Sequence, residues 1–225
     1  MAQVKRSYRS PRREAQAART REAIVEAARR LLGADGMRAT TMDTIAAEAG
    51  VSVQTVYAAF GSKAAILIAL LDRLEADADA GEETRSGPAG SPREQLSALV
   101  AFHRRLYEQG ADVIAVGLGS VATDPDLAAH VDTGHRRRRA GQVAVVNEWH
   151  RRGALRPGLS RREAADVLWA LTSPDLYLLH VRGSGWSPSR YASWLRATLA
   201  GLLLRPDGTS RKLGAKKGEG SGSGQ

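Results

Sequence analysis

Residues 49–63, AGVSVQTVYAAFGSK, constrain the fold more than any other stretch of the chain. In a protein of net charge +9 they hold one charged side chain, Lys63. Their Val, Thr, Tyr and Phe content leans towards strand. The flanks argue otherwise. Thr40-x-x-Asp43 has the form of a capping box opening a short helix over 41–49. Ser52 is placed to cap a second helix over 52–59, and Ser62 a third. Gly50, between the first two, is the residue that takes a positive-φ turn without strain. Two short helices joined by such a turn predict a helix-turn-helix, with Ile45, Ala46, Ala49, Val51 and Val56 as the small apolar contacts where they cross. The weak helix propensity of the β-branched residues is then overridden by tertiary packing.

Nearly everything else reads helical, because apolar residues recur at steps of three and four. Over 20–33 the stripe is Ile24, Ala27, Ala28, Leu31 and Leu32, with Gly36 as a left-handed stop soon after. A helix over 63–79 carries Ile66, Leu67, Leu70, Leu71 and Leu74. Residues 80–92, AGEETRSGPAGSP, read as a linker and a domain boundary. Beyond it, helices are predicted over 93–109, 112–121, 126–152, 160–181 (interrupted at Ser173-Pro174) and 188–204. The fold class is all-α, an N-terminal three-helix helix-turn-helix domain over 18–78 and a C-terminal helical domain over 93–204.

The charge is concentrated at the ends. Residues 1–21 carry a net +6 and 205–225 a net +3, so the span between is neutral overall. The first 17 residues read as a basic disordered arm and the last 21 as a disordered tail. Such tails serve as electrostatic arms for polyanions or as solubilising ends, in about equal measure. The chain has no cysteine, which excludes disulfides, thiolate catalysis and Cys-ligated metal. No apolar run reaches the ~18–20 residues of a membrane span and no secretory signal opens the sequence, so a soluble cytoplasmic protein without membrane contact is expected.

The nearly uncharged second helix suits a major groove. That groove is ~12 Å wide and admits a helix whose small, hydrogen-bonding side chains approach base edges closely. Ser52, Val53, Gln54 and Thr55 are the base-contact candidates, and Gln54 is the most discriminating because a glutamine pairs bidentately with adenine. Lys63 in a first helical turn opposes the helix dipole, a placement that makes sense if a phosphate docks there. Tyr57 can donate its hydroxyl to a phosphate. Singly, Tyr57 reads better as a core aromatic and Lys63 as a solvated side chain; together, in register, they point to DNA.

Residues 20–72 resemble the N-terminal domain of the tetracycline-repressor (TetR) family. The matching features are A-A-x-x-L-L, G-x-x-x-T-T, I-A-x-x-A-G-V-S-x-x-T-V-Y-x-x-F and x-S-K before an apolar helix. The resemblance implies DNA contact by Thr41, Gln54, Thr55, Tyr57 and Lys63, and Thr40 is counted with its neighbour in the T-T pair. It also implies a C-terminal domain that dimerises and often holds a small-molecule pocket, hence a homodimeric repressor released by an effector from palindromic double-stranded operator DNA. The two recognition helices would stand about one DNA turn, ~34–36 Å, apart. An activator of the same fold, a sequence-neutral DNA-binding protein and an interaction module without DNA are the alternatives.

In the C-terminal half, Tyr191, Trp194, Leu195, Leu199 and Leu202 form one apolar stripe and Leu168, Trp169 and Leu171 another. Paired across a two-fold axis, Trp169 and the Tyr191–Leu202 stripe would make a dimer interface; intrachain core is the competing account. His103, Tyr107, Trp149, Trp169 and Tyr177 are the pocket candidates, although a lone histidine on an apolar face is more often a satisfied core residue. The run HRRRR, residues 135–139, could attract an acidic effector but points in all directions around a helix, as a solvated surface does. No catalytic, metal or cofactor site is expected. Gly117-Leu118-Gly119 lacks the rest of a dinucleotide fingerprint, and His130 and His135 are five apart, a poor ligand spacing on a helix.

Overall fold

The computed structural model describes residues 11–80 and 90–206. Among them the order is α1 (Pro11–Ala39), α2 (Met42–Ala49), α3 (Val53–Phe60), α4 (Lys63–Asp79), α5 (Pro92–Ser120), α6 (Pro125–Arg151), α7 (Arg161–Leu171), α8 (Pro174–Leu178), a π-helical turn (Leu179–Gly183) and α9 (Pro188–Leu203). An isolated antiparallel bridge, Leu155 to Leu204, ties the end of α9 to the α6–α7 connection. All-α architecture follows from the caps. Thr41, Ser52, Ser62, Ser91, Asp124, Ser160, Ser173 and Ser187 each accept a backbone N–H two or three residues on. Each such cap is worth about 1 kcal/mol.

The helix-turn-helix forms as its punctuation requires. Gly50 closes α2 at φ 66°, ψ 32°, and its N–H and that of Val51 return to the last carbonyls of α2. The capping box is one residue later than expected: Thr41 pairs with Thr44, not Thr40 with Asp43. Thr40 is instead buried, its hydroxyl donated to Gly36 O at 2.8 Å. Gly36 itself, at φ 74°, turns the chain where the expected stop lay. Val56 is fully buried with Ile45 and Ala46, and burying that one valine contributes roughly 1.5–3 kcal/mol towards holding α3 in place.

Four expectations change. The basic arm was expected to run to residue 17, but α1 begins at Pro11, whose fixed φ suits a first helical position, with Glu14 in the first turn. Residues 1–10, the core of the expected linker (81–89) and the tail from 207 lie outside the described residues. The helices expected over 93–109 and 112–121 are one helix, α5. Gly110 reads as a break, yet it sits where α4 crosses α5, and a Cβ there would lie 2.4 Å from Leu74 Cδ1. Nor does the linker separate two cores. The N-terminal core takes in Val113 of α5 and Leu127 of α6, and Leu106 of α5 packs on both cores.

Gly110→Ala sets two effects against each other. The helix gains ~1 kcal/mol in propensity, while overpacking against the buried Leu74 costs ~1–3 kcal/mol. A net loss of about 1 kcal/mol is expected in chemical denaturation; a gain would show that α4 and α5 separate freely at this crossing.

The fourth change concerns the expected dimer stripe. Tyr191, Leu195 and Leu199 are 1%, 0% and 0% exposed, because α9 lays this face on α5 and α7. They are intrachain core. Of the stripe only Leu202, 44% exposed, and the half-buried Trp194 remain on the outside.

Candidate nucleic-acid interface and ligand cavity

α3 presents Ser52, Gln54, Tyr57 and Ala58 to solvent, with Tyr57 53% exposed, while Val53 and Val56 turn towards the core. Val53 is half-buried and packs against the N-terminal core, so it is presented less openly than Gln54. Ser52 is occupied locally: its Oγ accepts Thr55 N–H at 3.1 Å and lies 2.8 Å from Thr55 Oγ1. Thr41 is likewise exposed but closed into its box with Thr44. Gln54 and Tyr57, whose side chains make no hydrogen bond among the described residues and lie about one helical turn apart, are the side chains best presented outward. Ala58, beside Tyr57 on the same face, went unnoticed in the sequence; a methyl group there lets a partner come close.

Lys63 is placed differently from expectation. Its half-buried ammonium reaches away from its own helix and donates to Thr40 O at 2.5 Å and to Met37 O. Those carbonyls belong to the C-terminal end of α1, the negative pole of that helix, which offsets the unfavourable dipole of α4. Burial lowers the Lys63 pKa from its usual value. The lysine thus clamps α4 to the α1–α2 junction. Arg21, also unforeseen, does similar service at the other end of α3, donating to Ala59 O with its guanidinium 3.9 Å from the centre of the Phe60 ring.

Further down, α4, α5 and α6 enclose a cavity of about 730 Å³. Most of its wall is apolar, from Leu71, Leu99, Phe102, Leu106, Ile114, Leu118 and Val145. His103, Tyr107, Arg138 and Gln142 make one polar part of the wall. Tyr107, Arg138 and Gln142 are tied together through Thr172 at the end of α7. Its carbonyl accepts from Tyr107 Oη at 2.7 Å and Arg138 Nη1 at 3.0 Å, and its hydroxyl from Gln142 Nε2 at 2.8 Å. His103 Nδ1 lies 2.8 Å from Leu99 O; a carbonyl only accepts, so Nδ1 carries the proton and Nε2 is a bare acceptor. Burial, with Arg138 adding to it and the Leu99 carbonyl opposing, lowers the His103 pKa to about 4. Burial likewise pushes Tyr107 up to about 12.

The expected pocket residues divide. His103 and Tyr107 line the cavity. Tyr177 stands behind Tyr107, ring centres 5.4 Å apart, and Trp149 is fully buried with its indole N–H on Gln95 Oε1 at 2.8 Å, Gln95 being part of the wall. Trp169 is not in the wall: it packs under the Arg138 guanidinium at 3.8 Å and edge-on to His135. Arg138 and Gln142 were missed inside and after the arginine run. Arg136 pairs with Asp132, Arg137 with Glu75 and Arg139 with Asp166, so three of the four arginines hold surface pairs while Arg138 turns inward. The signal was a helical period: Val131, Gly134, Arg138, Gly141, Gln142 and Val145 recur at steps of one, three and four and share the cavity face.

A short helix exposed on its outer face and joined to α2 by a glycine turn, with a ligand-sized cavity between α4 and the long helices α5 and α6, defines the class of helix-turn-helix proteins with a regulatory domain. Residues 24–70 match the family model described as bacterial regulatory proteins, tetR family. The HTH-type transcriptional regulator BetI of Rhizobium meliloti is 39% identical over 102 residues, which is 44% of this chain and 48% of that protein, so the match spans about half the length of that relative. The HTH-type transcriptional regulator EthR of Mycobacterium tuberculosis is 30% identical over 158 residues, 69% of this chain and 73% of that one. A solved structure of a transcriptional regulator from Saccharomonospora viridis, in complex with choline, superposes with a TM-score of 0.72 at 22% identity over 84% of this chain and 100% of that one. The chain belongs to the tetR family of bacterial regulatory proteins.

Proposed function

We propose that the protein is a DNA-binding transcriptional regulator, a homodimeric repressor that releases its operator when a small molecule fills the cavity. The observation that carries this reading is the outward face of α3: Gln54 and Tyr57 exposed on a helix pinned from behind by Val56. Gln54 would read a base edge and Tyr57 would donate to a phosphate, while Lys63 and Thr41 hold α2, α3 and α4 in register. Two copies would pair through surface left outside the core, where Leu179 is 61% and Leu202 44% exposed. Such a protein would act in the cytoplasm, where the chromosome is.

The route from cavity to DNA runs through α4. One end carries the Lys63 clamp beside α2 and α3; the other contributes Leu71 and Glu75 to the cavity wall. A ligand that prefers a displaced α4 would lower operator affinity by its difference in affinity for the two states.

The test begins with selecting bound fragments from genomic DNA and measuring affinity by fluorescence anisotropy at physiological salt. Specific sites should bind at least ~10³-fold more tightly than random DNA. Gln54→Ala should cost ~1–3 kcal/mol with the loss confined to one base pair per half-site. Equal weakening on every sequence would reject Gln54 as a reader.

A further inference from the structure

The cavity wall is charged at several places, and its carboxylates are all engaged. Glu75 is paired with Arg137, and Glu148 with both Arg151 and Arg152. Asp79 is engaged as well. His130 lies 3.7 Å from Asp72. Arg138 has no carboxylate partner among the described residues: its contacts are Thr172 O, the Tyr107 hydroxyl and the face of Trp169. Glu75 and Asp175, whose fields reach the neighbouring Tyr107, form no ion pair with it. Its Nε–H is buried without a hydrogen-bond acceptor, and His103 Nε2 and Gln142 Oε1, in the same part of the wall, are also without partners. A cationic donor left unpaired out of water costs more than a neutral acceptor in the same position.

We infer that the cavity takes an apolar monocarboxylate, its carboxylate on Arg138 and its hydrocarbon body along Leu71, Leu99, Phe102 and Leu106. The inference rests on reading the cavity as a ligand site and names the chemical class of that ligand. A carboxylate supplies the countercharge that Arg138 lacks, and charge-assisted bonds of this kind are about twice as strong as neutral ones. The guanidinium is held by Thr172 and Trp169, so little ordering is required when the anion arrives. A quaternary ammonium such as choline, bound by the Saccharomonospora neighbour, would face Arg138 as a like charge with no free carboxylate opposite.

Three probes with one hydrocarbon body separate the possibilities: decanoate, decanol and decyltrimethylammonium, titrated calorimetrically into the full-length protein near pH 7. Decanoate should bind at least ~10-fold more tightly than either of the others. Arg138→Gln should abolish that preference while decanol binding persists, and Arg138→Lys should restore part of it. Leu99→Trp, which puts a bulky ring on the apolar part of the wall, should weaken binding of decanoate and decanol alike. Equal or tighter binding of decanol or of the cation, or no binding of decanoate, overturns the inference. Operator release is measured separately on a DNA fragment. Decanoate bound without release sinks the repressor reading but not the ligand class; release by decanol or the cation alone does the reverse.

Discussion

Replacing Trp149 by Ala is expected to cost about 3–5 kcal/mol, the range for truncating a fully buried large aromatic. Two losses combine. The ring fills the C-terminal core between α5, α6 and the α7–α9 layer, where it is fully buried with Leu96, Val146, Leu155 and Leu199. Its N–H also bonds Gln95 Oε1, so truncation withdraws a donor from a residue of the cavity wall. Trp149→Phe separates the two, keeping most of the volume and losing only the donor, and should cost about 1–2 kcal/mol. Urea denaturation followed by circular dichroism reads both. A loss below ~1 kcal/mol for the alanine variant would mean that the neighbouring helices collapse into the space.

What the sequence could reveal depended on how local the cause was. Caps and the Gly50 turn act over three or four residues, so Ser52, Ser62 and the α2–α3 turn were readable with no knowledge of the rest. The capping box was displaced by one because Thr40 and Thr41 both qualify locally. Thr40's hydroxyl goes back to Gly36 in the preceding helix, and that decided the register. The stripe Tyr191, Leu195, Leu199 correctly marked a covered face of α9 but not its cover. An apolar stripe looks the same under α5 as under a second copy of the chain. The gap expected between 109 and 112 closes for a related reason: a glycine that admits a neighbouring helix, as Gly110 does, and one that ends its own are the same letter.

The binding residues show the same division. Gln54 and Tyr57 could be placed outward by their offset from Val56 within one short helix. Lys63 could not, since its partners, Met37 O and Thr40 O, are brought near by the turn at Gly36 and the packing of α4 on α1. Arg138 was hidden among like residues. Only the register of α6 against α5 distinguishes it from Arg136, Arg137 and Arg139, and its pairing with Thr172 spans 34 residues.

Acid should weaken the folded protein more than its surface carboxylates would suggest, and His103 is the reason. Its folded-state pKa, about 4, lies below the ~6.5 of an unfolded histidine. The unfolded chain therefore binds the proton first, and stability falls as pH drops through 6.5 towards 4, at up to ~1.4 kcal/mol per pH unit and about 3 kcal/mol in all. The groups that set this are the burial of the ring, the Arg138 charge beside it and, in opposition, the Leu99 carbonyl on Nδ1. His135, whose pKa is also lowered, chiefly by burial, adds a smaller loss in the same window. Asp112, where burial acts to raise the pKa but the Arg29 hydrogen bond prevails, is lowered overall and contributes below that window. His103→Phe should flatten the profile between pH 6.5 and 4.5 while leaving the fall below pH 4 in place, as read from urea midpoints at half-unit steps. The aromatic replacement keeps the edge-on contact with Phe102 and the neighbouring Tyr107 ring, so packing loss is small beside the proton effect. A variant whose midpoints run parallel to the wild type throughout would mean that His103 takes up its proton in the folded state, and with it that Nε2 is not a bare acceptor.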